Sequence, residues 1–174
     1  MTHVSLDYDV WTEAAYEYVR DQLRAHATVG IKGTSGTRVI EIGSPLLAEL
    51  ASDPESLPAV WITPDNDDQR ESQMAEEGVW IVHNIRLQFT VFTLIAPRSS
   101  MESADLEKTH RQYAGKVYSA IGGLNEAGRA ASHWREFTPD RGGVRRGSLQ
   151  VDDARVLLGS TITFNLIRDR KWVT

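Results

Sequence analysis

Apolar positions along this chain recur with two periods, close to four and to two residues, and each stretch of constant period predicts one element. Trp11, Ala15, Val19 and Leu23 return every four residues beside Val10 and Ala14, while Glu13, Glu17, Arg20 and Arg24 fall on other faces. The spacing predicts an amphipathic helix over about 10–26, with Asp7 and Asp9 placed to cap it and to favour its dipole. Residues 29–32 and 37–42 read as short strands around a Gly33-Thr34-Ser35-Gly36 turn. Ser44-Pro45 opens a short helix bearing Leu46, Leu47 and Leu50, which Asp53-Pro54 and Leu57-Pro58 close.

A short apolar strand over 59–62 carries Trp61, and the polar run over 64–78 reads as a loop. From 79 to 96 the period becomes two. Val79, Ile81, Ile85, Leu87, Phe89, Val91 and Ile95 share one face with His83 and Thr93, and Asn84, Arg86, Gln88 and Thr90 occupy the other. That strand outruns a typical one, so it bends or projects beyond its own domain. Ser99-Ser100-Met101-Glu102 is a capping box, opening a helix with Leu106, His110, Tyr113, Val117, Ile121 and Leu124 on one stripe. Gly122-Gly123 marks the expected fraying of that helix, and the Gly/Arg-rich stretch at about 126–147 reads as a long loop. A last strand over 156–172 places Val156, Leu158, Ile162, Phe164 and Leu166 on one face, with Thr161, Thr163 and Asn165 on the other. Adjacent strands with helices set to one side predict an α+β fold: a single domain over 1–174, with a mixed or antiparallel sheet of four to six strands and two main helices on one face.

With 174 residues and no cysteine, the chain folds without disulfides or thiolate metal sites. No stretch reaches the length of an apolar membrane span and the N-terminus lacks a signal-peptide layout, so a soluble, unprocessed chain is expected. The net charge of −5 argues against a general DNA-binding protein. Charge is unevenly spread. Between 65 and 77, Asp65, Asp67, Asp68, Glu71, Glu76 and Glu77 face only Arg70, a local −5. Between 128 and 148, Arg129, Arg135, Arg141, Arg145 and Arg146 outnumber Glu136 and Asp140, a local +3. Such a dipolar chain can pair head to tail with itself, and the residues expected at that contact are Asp65, Asp67, Asp68, Arg145 and Arg146. Two solvated loops are the plainer reading of the same charges.

Catalytic signals are sparse. The glycines at 30, 33 and 36 have the wrong spacing for a dinucleotide fingerprint, and no phosphate loop follows. Asp65-Asn66-Asp67-Asp68 lacks the glycine and oxygen spacing of a calcium loop. His3, His26, His83, His110 and His133 form no metal-ligand pair, and His83 and His110 sit where hydrogen-bonded core or interface histidines belong. No nucleophile elbow is present. No catalytic residue, cofactor or metal is therefore expected. Tryptophans 80, 134 and 172 fall at element edges or loops, as lids over the core or as interface anchors.

The order of elements resembles one known family. A proline-bounded strand (Leu57-Pro58-Ala59-Val60-Trp61-Ile62) precedes a long alternating strand over 81–95, a helix of about 25 residues, and a final strand, Thr161-Ile162-Thr163-Phe164-Asn165-Leu166-Ile167-Arg168-Asp169-Arg170-Lys171-Trp172. This layout resembles the tail terminator (tail completion) proteins of long-tailed bacteriophages, the lambda-terminator-like group, over most of the chain. The resemblance implies a non-enzymatic virion protein forming a homo-oligomeric ring, commonly a hexamer. Such a ring caps the tail tube, ends its polymerisation and meets a neck or head-completion protein, with DNA passing through the lumen unread. Assembly in the host cytoplasm and a place at the tail–neck junction follow, with no membrane partner. Two alternatives stay open: another head–tail connector, or a small α+β enzyme or ligand-binding protein with a dispersed site drawn from His83, His110 and Asp67.

Overall fold

The computed structural model describes residues 8–32, 36–44, 50, 52–75, 78–97, 99, 104–131 and 133–171; over 8–12, 65–75, 78–83, 141–143 and 169–171 the description is of the backbone. Helix α1 (Tyr8–Ala25) is followed by β1 (Ile31–Lys32), β2 (Gly36–Thr37) and β3 (Ile40–Ile42). A 3-10 turn (Pro54–Ser56) leads into β4 (Ala59–Ala75) and β5 (Gly78–Pro97), then helix α2 (Ala104–Ala130), β6 (Glu136–Gln150) and β7 (Arg155–Lys171). β1 and β2 pair with each other, and the other strands form a five-stranded sheet in the order β3-β4-β5-β7-β6. β3 runs parallel to β4 and every other pairing is antiparallel, so the sheet is mixed. The fold is α+β, as the pattern predicts.

Both helices bury their stripes on one face of this sheet. Ala15, Tyr16, Val19 and Leu23 of α1 and Tyr113, Val117, Ile121 and Leu124 of α2 meet Val60, Ile62, Ile85, Leu87, Phe89, Val91, Phe137, Ile162, Phe164 and Leu166 in one cluster. Arg24 fastens the end of α1 to β3, donating from Nε to Ile40 O (3.0 Å) and pairing with Glu41 (2.6 Å). The chain then doubles back so tightly that a Cβ on Gly30 would lie 2.0 Å from Arg24 O, a position only glycine fills. A smaller cluster of Leu50, Leu57, Ala59, Trp61, Phe92 and Leu157 closes one end of the opposite face.

Four expectations are corrected. The polar run over 64–78 is not a loop: β4 continues to Ala75 and pairs with β5 back to Gly78, with bulges between Pro64 and Asn66 and between Glu71 and Met74. Main-chain pairing to a strongly alternating neighbour overrides weak strand propensity. The 126–147 loop is likewise absent, since α2 runs to Ala130 and β6 occupies Glu136–Gln150. Gly122 and Gly123 do not fray α2. Its buried stripe goes on through Leu124 and Gly128, and Asn125 anchors the following turn, accepting from Trp134 Nε1 (3.1 Å) and from Phe137 N–H (2.8 Å). Finally, Ile95 is not on the face of Val91. A bulge between Phe92 and Leu94 adds one residue, and parity beyond it reverses. Ile95 consequently packs on the smaller cluster.

The proposed short helix after Ser44 falls on residues 45–49 and 51, outside those described, as do 33–35 of the first turn and 100–102 of the capping box.

Candidate assembly surfaces

The sheet has two open margins. On one side β3 covers β4 only at Val60, Trp61 and Ile62, so from Thr63 onward β4 has no second strand partner among the described residues. On the other side β6 pairs, among the described residues, with β7 alone, and every residue from 144 to 150 is exposed. Val144 and Leu149 are among the most exposed large apolar residues, at 39% and 43%. An unpaired edge presents free main-chain groups to which another strand can pair.

The residues expected at a self-contact lie on these margins. Asp65, Asp67 and Asp68 belong to β4, and the register sets Asp67 across from Ile85 and Asp68 across from Asn84. Arg145 and Arg146 belong to β6, across from Thr161 and Ser160. Strands β5 and β7 separate the two groups by roughly 14 Å across the sheet, so one chain does not bring them together. Arg146 is engaged within the chain, its Nη1 lying 3.1 Å from Glu107 Oε1 of α2. Arg145 lines a shallow hollow with Thr90, Phe92, Leu149 and Thr161 around Gly147 and Gly159. At about 150 Å³ this hollow is smaller than typical small-molecule sites.

On the helix-facing side, His110 is buried between two hydroxyls, with Nδ1 2.6 Å from Thr93 Oγ1 and Nε2 2.6 Å from Ser160 Oγ. Burial, with a lesser contribution from Arg146, pushes its pKa below the ordinary histidine value, so the ring is held neutral. The order serine, histidine, threonine has the outline of a nucleophile and its base. Ser160, however, is only 2% exposed, its hydroxyl held against His110. His110 is a buried histidine hydrogen-bonded at both ring nitrogens, as its place on the apolar stripe implies. His83 lies ten residues from Thr93 along β5, roughly 30 Å away, so His83, Asp67 and His110 do not converge.

Of the tryptophans assigned to edges, Trp134 is a core residue, 3% exposed, set against Phe137 (ring centroids 4.9 Å apart) and Tyr18 (5.5 Å). The side chains of Trp80 and Trp172 lie outside the described residues. Sequence reasoning missed the 144–150 edge and the Glu107 partner of Arg146. The exposed edge gives a weak signal in Val144, set between Gly143 and Arg145, and in Leu149, set between Ser148 and Gln150.

No protein-family model matches the chain, and no significant match to a curated protein is found. Among the described residues, no helix is long and apolar enough to cross a membrane.

Proposed function

We propose that this chain is a structural, non-enzymatic subunit that closes into a ring with copies of itself, as a tail terminator of a long-tailed phage does. The observation that carries the reading is the pair of open sheet margins, one on an acidic segment of β4 and the other on the basic β6. Different surfaces meeting head to tail form a heterologous contact, which closes into a ring when the rotation allows. The long β4–β5 hairpin, paired from Ala59↔Phe92 out to Ala75↔Gly78, supports a subunit that reaches beyond its helix layer. In this role the ring caps the tail tube, ends its growth and presents its other face to a neck protein, with DNA crossing the lumen. Hexamers are the expected closed form.

Mass photometry and negative-stain microscopy of the purified chain test the ring: closed particles of one size are expected, and a monomer at all concentrations refutes it. Adding the particles to polymerising tail-tube protein then separates a terminator from another connector. Tubes of limited length with a capped end are expected of a terminator, and unaffected tube growth refutes that assignment.

A further inference from the structure

The backbone of the two margins specifies how copies join, in a step that rests on the ring reading. In the β6–β7 hairpin, Val151 N–H donates to Arg155 O at 3.0 Å. That pair continues the register in which Leu149 opposes Leu157, Gly147 opposes Gly159 and Arg145 opposes Thr161. Hydrogen-bonded and non-bonded pairs alternate along an antiparallel ladder. Leu149, Gly147 and Arg145 therefore bond inward to β7, while Gln150, Ser148, Arg146 and Val144 turn their N–H and C=O groups outward.

The opposite margin is open in the same manner. Val60 N–H donates to Val39 O and Gly43 N–H to Ile62 O, both at 2.9 Å, so even-numbered positions face outward where β4 begins. The next such position, 64, is a proline, which suits an edge because it has no N–H to leave unpaired. Past the bulge that follows, β4 runs on with Asp67, Asp68 and Glu71 against the single Arg70. β4 and β7 run in one direction and β5 and β6 in the other. Copies that repeat along the sheet thus bring β6 beside a neighbouring β4 in antiparallel orientation, the more stable pairing. Residues 144–150 stand level with 89–96 of β5 and residues 66–71 with 81–86, so each copy is offset by roughly 25 Å along the strands, which inclines the strands to the ring axis.

We propose that the outer edge of β6, residues 144–150, pairs main chain to main chain with the outer edge of β4, residues 66–71, of a second copy, so that the sheet continues from subunit to subunit. Charge complementarity selects this occupant: Arg145 and Arg146 stand on one edge, and Asp67, Asp68 and Glu71 on the other. The pairing also covers Val144 and Leu149.

Ser148→Pro tests the main-chain bond. It removes one outward N–H, leaves the β7 ladder intact, and follows Gly147, which has no Cβ to clash with the proline ring. The variant should keep its circular dichroism and melting temperature, yet need at least about tenfold higher concentration to assemble, while Ser148→Ala assembles like the parent. Rings of Ser148→Pro forming at parental concentrations would overturn strand pairing and leave the ring reading standing. A parent that never assembles overturns both. Should Ser148→Pro not fold, hydrogen exchange on the parent decides. Protection of the outward amides of Val144, Arg146, Ser148 and Gln150 only above the assembly concentration supports the pairing, and equal exchange above and below it refutes it.

Discussion

Two glycine-to-alanine changes in one helix should have opposite effects, and the structure sets both magnitudes. A Cβ built at Gly128 lies 1.8 Å from Trp134 Cζ2 and 2.1 Å from Cε2. The indole cannot yield easily, because it is 3% exposed, wedged against Tyr18 and Phe137, and donates from Nε1 to Asn125 O. Displacing it overpacks the core, which costs about 1–3 kcal/mol, and lengthens or breaks the indole hydrogen bond, about 1 kcal/mol more. Better helix propensity returns about 1 kcal/mol. Gly128→Ala should therefore destabilise by about 1–3 kcal/mol, a fall in Tm on the order of 2–12 °C for a chain of this size. At Gly122 an added Cβ meets nothing within 4 Å, so Gly122→Ala keeps only the propensity gain and should stabilise by about 1 kcal/mol. Thermal melts followed by circular dichroism give both values, and tryptophan emission should shift to the red only in Gly128→Ala. A Gly128→Ala variant as stable as Gly122→Ala would refute the packing of Trp134 against α2.

Reversing the basic edge with Arg145→Glu and Arg146→Glu should block or slow assembly measured by mass photometry. Adding Asp67→Lys and Asp68→Lys should restore part of it; parental assembly of the reversed chain at low salt would show that the two segments do not meet. Because Arg146 also pairs with exposed Glu107, the monomer should lose no more than about 1 kcal/mol. His110 gives a pH signature. Its folded pKa lies below the unfolded value near 6.5, so its contribution is intact above that value. As pH falls, the unfolded chain takes up the proton first and stability is lost, until the folded pKa is passed. Urea melts at pH 7.5 and 5.5 should show a smaller acid loss in His110→Gln than in the parent, and identical losses would refute the assignment.

What the sequence revealed depended on whether hydrophobic periodicity was present. α1, β5, α2 and β7 could be read because each buries one continuous stripe, as Val19 and Leu23 do on α1 and Phe89 and Val91 do on β5. The outer half of β4 could not, since Asp67, Asp68, Gln69 and Arg70 carry no apolar alternation and are strand by their main-chain pairing with β5. β6 was hidden for a related reason. Between Pro139 and Val144 its register slips, so four residues stand against Thr163 of β7 and the alternation is lost. Ile95 was misplaced because a bulge leaves no mark in composition. The acidic and basic segments were visible as charge, but their places on opposite margins follow from strand order, which a linear reading does not contain.

The brevity of β3 limits sliding. Holding β4 only through Val60–Ile62, it blocks that end of the edge, and Pro64 just beyond offers no donor to a strand that slips toward it. On β6 the excursion over 140–143 ends the straight run as abruptly. Each margin is thus a slot of finite length with a stop built in, so a docking strand has few registers in which to settle. Long flat edges are open templates for pairing with further chains. For copies joined as proposed, the stops would restrict association to short, phased contacts, the condition for assemblies that finish at a fixed number of copies.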